Sequence, residues 1–126
     1  MDNLSLTASS ATPSVSFDAV GGVLALSGES YPENAFEFYK PLLNWVSRYL
    51  QDGASAVTAE IALSYLNTSS IKSVMDLLDL LEAAHRGGRQ VSVRWSYHKD
   101  NDRALEMIEE FKEEVTLPFF IVAVGA

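Results

Sequence analysis

Hydrophobic and polar positions along this chain alternate with two different periods, and the changes of period mark out its elements. Val57, Ala59, Ile61, Leu63 and Tyr65 alternate with Thr58, Glu60, Ala62 and Ser64. A period of two is the mark of a strand with one apolar face. Val91, Val93, Trp95 and Tyr97 repeat the pattern, and Phe119–Val124, after Pro118, is an apolar strand. Ser14–Phe17 and Val23–Gly28, joined around Gly21-Gly22, read as a hairpin.

Between these strands the period lengthens. Phe36, Tyr39, Leu42, Leu43, Val46, Tyr49 and Leu50 recur at helical steps, with Asp52-Gly53 as a stop. Pro41 falls inside that run, where a proline costs about 3 kcal/mol. The expectation is therefore a short leading turn, from Tyr31-Pro32-Glu33-Asn34, and a main helix from about Lys40 to Gln51. Ile71, Val74, Met75, Leu78 and Leu81 set up a second helix that ends at Gly87-Gly88. Asp100-Asn101-Asp102 caps a third, with Ala104, Ile108, Phe111 and Val115 on its inner face.

The predicted order is β-β-α-β-α-β-α-β. Helices of this length between strands imply crossovers and parallel neighbours, and the hairpin makes the sheet mixed. The expected fold class is α/β, with a mixed five-stranded sheet and helices. One domain spans residues 13–126, and residues 1–12, rich in Ser and Thr, are expected to be a flexible lead.

Composition narrows the function classes. The chain has 126 residues, enough for one domain, and its 48% hydrophobic content supports a real core. Its net charge of −8 repels phosphate backbones and anionic lipid. Nucleic acid and direct membrane insertion are therefore not expected, and a basic protein partner or a cationic pocket fits this charge better. The absence of cysteine excludes disulfides, thiolate metal sites and a thiol nucleophile. The first residues lack a secretory pattern, and no apolar run spans a bilayer. A cytoplasmic location is expected.

Catalytic chemistry finds little support. His85 and His98 lie at a helix end and a strand end, outside any metal or nucleophile spacing. No phosphate-binding or dinucleotide fingerprint occurs, so neither cofactor nor metal is expected. Asp76, Asp79 and Glu82 recur at three-residue steps and read as a solvated helix face, or as a face that meets a basic partner. Trp45 and Trp95 are core or interface anchors. The junction Asn67-Thr68-Ser69-Ser70, where a strand runs into a helix, is different. One hydroxyl suffices for an N-cap, and three stand here in a row. The free N–H groups and dipole of a helix start also favour an anion, so a phosphate added there is locally tolerated. It brings about −1.5 to −2 charges onto an acidic surface and spoils it for docking.

At these residues the chain resembles a known family. Ser30-Tyr31-Pro32-Glu33-Asn34, Tyr65-Leu66-Asn67-Thr68-Ser69-Ser70-Ile71-Lys72 and Met75-Asp76-Leu77-Leu78-Asp79-Leu80-Leu81-Glu82 closely resemble the SiaC family of bacterial regulatory phosphoproteins. Gly87-Gly88-Arg89 and Val93-Arg94-Trp95 continue the match. The resemblance implies a STAS-like fold, that of anti-sigma-factor antagonists, and phosphorylation at Thr68. Asn67, Ser69, Ser70 and Lys72 are expected to support that switch site, and Asp76 and Asp79, from the acidic row, are a candidate partner-binding face. It implies three partners: a SiaB-like protein kinase, a PP2C-type phosphatase and a GGDEF diguanylate cyclase. The unphosphorylated form would activate the cyclase, raising cyclic di-GMP and promoting biofilm formation. By this resemblance the chain is not an enzyme. Two other readings stand beside it: an anti-sigma-factor antagonist in a partner-switching pathway, and an enzyme that uses the acidic row.

Overall fold

The computed structural model describes residues 1–125. Its elements follow in the order β1 (Leu4–Leu6), β2 (Ser14–Asp18), β3 (Val23–Ser30), α1 (Ala35–Gln51), β4 (Val57–Leu66), α2 (Thr68–Arg86), β5 (Val91–His98), α3 (Asp102–Glu113) and β6 (Phe119–Val124). All strands belong to one sheet whose spatial order equals the chain order. The first three are antiparallel neighbours, and β3 to β6 run parallel, each reached through a helix. The mixed α/β architecture is the one the periodicity predicted.

Two expectations need correction. The sheet has six strands, not five. The additional one, β1, lies within residues 1–12, which were expected to form a flexible lead. Its anchors are distant in sequence and invisible to local pattern. Leu4 and Leu6 pack on the core, the Ala19 N–H donates to Asn3 Oδ1 (2.8 Å), and Trp45 Nε1 donates to the Asp2 carbonyl (2.8 Å). The second correction concerns Pro41, which lies inside one unbroken helix, α1. Pro41 and Glu37 are both exposed, so the carbonyl that the proline leaves unpaired lies on the solvent side. Asn34 caps the helix, accepting from the Glu37 N–H (3.1 Å), and the helix begins at Ala35, five residues earlier than expected.

The core lies on one face of the sheet. Val15, Phe17, Leu24, Leu26, Ala59, Ile61, Val93 and Trp95 are buried with the inner residues of all three helices. Ser16, Glu60, Ala62, Arg94 and Phe120, which point the other way, are exposed. Full burial of one Leu or Val side chain contributes about 1.5–3 kcal/mol, so this one-sided stripe is what holds helices to sheet. Gly22 fixes the hairpin beside β4. Its φ is +68°, and a Cβ there would sit 2.4 Å from the Ala56 carbonyl oxygen.

One irregularity matters for the site. Gly28 pairs with Leu63 but the next residue, Glu29, pairs with Tyr65, so Ser64 is an extra residue on β4. Such a bulge reverses which residues point inward. Tyr65, expected on the apolar face, is 52% exposed, and Leu66 is buried instead. The pairing of β4 with β5 stops at Ile61 and Trp95, and the Trp95 indole N–H donates to the Leu63 carbonyl (3.2 Å).

Candidate functional site

The β3–α1 turn and the β4–α2 junction meet at the C-terminal ends of neighbouring parallel strands, where open α/β sheets present their sites. Asn67 ties them together. Its Oδ1 accepts from the Ser70 N–H (2.9 Å) and from Ser69 Oγ (3.3 Å), and its Nδ2 donates to the Pro32 carbonyl (3.0 Å). The Asn67 N–H donates to the Ser30 carbonyl (2.9 Å). The N-cap of α2 is thus Asn67 and not one of the hydroxyls. An amide side chain that accepts at the cap and donates elsewhere does two jobs that a hydroxyl would do less well. Tyr31–Asn34 connects β3 to α1, held by Asn67 at Pro32 and capping α1 with Asn34.

With the cap assigned, the three hydroxyls separate. Ser70 is fully buried, and its Oγ shares a hydrogen bond with Ser30 Oγ (2.9 Å). Ser30 in turn accepts from the Tyr39 hydroxyl (2.8 Å), so a chain of hydroxyls runs under the helix start. Burial pushes the Tyr39 phenol above its usual range, against the lowering effect of Ser30, and it stays neutral. Ser69 is exposed and turned back to Asn67. Thr68 is exposed and lines a groove of about 400 Å³ between α2 and α3.

Ile71, Met75, Met107 and Phe111 give the groove its apolar lining, and Asp76, Glu110 and Glu114 make it acidic. Lys72 also lines it, one turn after Thr68, and pairs with Asp76 Oδ2 at 3.6 Å. Both partners are well exposed, so that pair contributes little to stability. Beside the junction, the exposed Tyr31 and Tyr65 rings meet edge to face at 6.1 Å.

The predicted acidic row does not survive as a row. Asp76 faces the groove. Asp76 also borders a shallow hollow toward α1, which it shares with Asp79, one turn on, and with Leu43 and Ser47. Glu82 is buried, not solvated. Its carboxylate accepts from Thr116 Oγ1 (2.6 Å), the Thr116 N–H (2.9 Å), the Leu117 N–H (3.0 Å) and Arg86 Nε (2.8 Å). Burial acts to raise its pKa, but these four donors outweigh it and hold the group down to about 2. Among the described residues no cluster of three or more His, Cys, Asp or Glu is placed to hold a metal. His98 accepts from the Asp100 N–H (3.1 Å) at the turn after β5.

The structure therefore brings Thr68, Lys72 and Asp76 to one groove beside the exposed Ser69, sends Ser70 inward, and places Asp79 outside the groove, in a neighbouring hollow that Asp76 also lines. Periodicity missed the α3 wall of the groove, because Met107, Glu110 and Glu114 flank an inner face whose centre is Ile108 and Phe111. It also missed Tyr65, whose exposure depends on the bulge, and it counted Phe36 and Ile71 among the apolar positions of the helical pattern although they are 67% and 40% exposed. Among the described residues no helix is long and apolar enough to cross a membrane.

Comparison with known proteins finds relatives of this chain along nearly its whole length. The model of the SiaC family of regulatory phosphoproteins matches residues 6–124. A protein of Pseudomonas aeruginosa strain UCBPP-PA14 is 46% identical over 98% of both chains. The solved structure of SiaC of Pseudomonas aeruginosa superposes with a TM-score of 0.93 at 45% identity, covering 98% of this chain and 100% of that one. SiaC from the crystal structure of the diguanylate cyclase SiaD in complex with its activator SiaC, also of Pseudomonas aeruginosa, gives a TM-score of 0.93 at 46% identity over 96% and 99% of the two chains. Matched along nearly its whole length, this chain belongs to the SiaC family of regulatory phosphoproteins.

Proposed function

We propose that this protein is a phosphorylation-gated activator of a GGDEF diguanylate cyclase in the cytoplasm, switched at Thr68. The unmodified form binds the cyclase and raises cyclic di-GMP, promoting biofilm formation. A SiaB-like kinase adds the phosphate, and a PP2C-type phosphatase removes it. The observation that carries this reading is the position of Thr68, exposed on the acidic, apolar groove while its neighbour Ser70 is buried. A relative 46% identical to this chain is the activator in a complex with a diguanylate cyclase, which supports the choice of partner.

The gating follows from charge. The partner meets the groove with Asp76 at its side, and the docking face extends over α2 to Asp79. A phosphate on Thr68 stands one helical turn before Lys72 and competes with Asp76 for that cation. It leaves Asp76 less neutralised, adds about −1.5 to −2 charges and brings bulk to the groove. The helix start tolerates the anion, so the fold is kept while the contact surface is lost.

A titration of the cyclase with unmodified and phosphorylated protein tests this, reading binding and cyclic di-GMP together. The phosphorylated form should bind at least about tenfold more weakly, equivalent to about 1.4 kcal/mol, and activate correspondingly less. Equal activation by the two forms would remove the gating. Binding to an anti-sigma factor in place of the cyclase would move the protein to a partner-switching pathway.

A further inference from the structure

The two edges of the sheet differ. β1 is three residues long, with a serine at its centre. β6, at the opposite edge, is six residues of sequence Phe-Phe-Ile-Val-Ala-Val, with no charge and no proline. Among the described residues no strand lies beyond it. Edge strands of soluble monomers are ordinarily blunted by charge, proline or brevity. This one has none of those protections, in a chain whose net charge is −8.

The direction of its free groups is fixed by the pairing with β5. The Val93 N–H donates to the Pro118 carbonyl and the Lys99 N–H to the Val124 carbonyl. Residues alternate along a strand, so the even-numbered positions face β5, and Phe119, Ile121 and Ala123 turn their N–H and C=O groups outward. Side chains alternate as well. Phe119 and Ile121 pack on the core, whereas Phe120 and Val124 lie on the uncovered sheet face, 58% and 46% exposed.

We propose that β6 pairs antiparallel with β6 of a second copy, making one continuous sheet across a two-fold axis. Opposed residues must point to the same face, which limits the registers. With Ile121 opposite its own copy, Phe119 meets Ala123 and Phe120 meets Val122. Every outward-facing backbone group then has a partner, and every cross-strand pair is apolar. Because the edge carries no charge, pairing brings no like charges into register, whatever the repulsion elsewhere. The partner is a second copy because this register matches the edge to itself in both hydrogen-bonding pattern and side-chain character. So short an edge buries less than the roughly 1,200 Å² of a standard interface, so the dimer is weak and forms only at high concentration. It leaves the groove at Thr68 outside the contact and is independent of the cyclase reading.

Sedimentation velocity of the full chain, from low-micromolar to near-millimolar concentration, tests the proposal. A reversible monomer–dimer equilibrium is expected. Ala123→Pro removes an outward N–H without touching the β5 ladder and should weaken the dimer at least about tenfold, equivalent to about 1.4 kcal/mol. Phe120→Lys, at an exposed position that keeps the fold, should act in the same direction. The chain has no cysteine. Ile121→Cys should therefore cross-link to its own copy under mild oxidation, since hydrogen-bonded antiparallel partners lie about 5.5 Å apart at Cα. Val20→Cys, on the hairpin turn, should not. A single monomeric species at every concentration would overturn the proposal and leave the edge to a foreign strand. A dimer indifferent to Ala123→Pro and Phe120→Lys would overturn it equally.

Discussion

At its C-terminal end, α2 sends a carboxylate inward. Glu82 collects four hydrogen bonds and fastens the α3–β6 connection through Thr116 and Leu117. At its N-terminal end the same helix leaves Thr68 and Lys72 exposed, with one well-exposed ion pair between Lys72 and Asp76. Both ends are polar in sequence, and both carry committed groups, Glu82 at one and Asn67 and Ser70 at the other, but only the N-terminal end also leaves polar groups free of such ties. A group that already satisfies buried N–H donors cannot be modified or exchanged without loss of stability. A group that bonds only water can. Committed groups of this kind hold the scaffold still, so a charge added at the exposed Thr68, as proposed, would not need to unfold the domain.

The contrast is sharpest between two hydroxyls two residues apart. Ser70→Asp would place a carboxylate at a fully buried position beside Ser30, and a loss of about 3–5 kcal/mol is expected from an uncompensated buried charge. Thr68→Asp should leave the denaturation midpoint nearly unchanged while weakening the cyclase contact. If both variants melt alike, the assignment of one hydroxyl to structure and the other to switching fails.

Glu82→Ala should follow in size. It strands the buried N–H groups of Thr116 and Leu117, and urea denaturation should show a loss of about 2–3 kcal/mol. The same residue gives a pH signature. Its folded pKa is depressed to about 2, so its contribution is complete above the ordinary carboxylate value, about 4.3, and disappears as pH falls through about 2. Glu82→Gln should flatten acid unfolding in that window. An acid limb unchanged from the parent protein would show that Glu82 is not the committed group.

Asn67→Ala is expected to cost about 1–2 kcal/mol, since it removes the cap and unties the β3–α1 turn at Pro32. Its effect should exceed that of Ser69→Ala, which deletes only one exposed bond. The smallest effect on stability belongs to Thr68→Ala, within about 0.5 kcal/mol as for an exposed position away from such features. That variant should nonetheless take up no phosphate at this residue when incubated with the kinase, as read by intact mass and peptide mapping. Phosphate mapped to Ser69 would move the site by one residue and leave the mechanism standing.

Much of this arrangement is local and was legible beforehand. Alternation in Val57–Leu63 and Val91–Trp95 reports one-sided burial directly, because a strand needs no more than its own period to present one apolar face. The helix stops at Asp52-Gly53 and Gly87-Gly88, and the Asn101 cap, are likewise chemistry of adjacent residues. The hydroxyl cluster at the strand-to-helix junction marked the site. What it could not convey was which hydroxyl is free, since that depends on Ser30 and Tyr39, 40 and 31 positions away from Ser70.

The amino-acid order by itself therefore determined the element types and the parallel crossovers, which follow from periodicity and capping within a few residues, and through its family resemblance it offered Thr68 as the candidate switch. Only the tertiary structure decided the sixth strand, the bulge that turns Tyr65 outward, the inward commitment of Glu82 and the separation of Thr68 from Ser70. Each of these depends on a hydrogen bond or packing contact between distant segments, and a side chain's accessibility is set by what lies across from it in space.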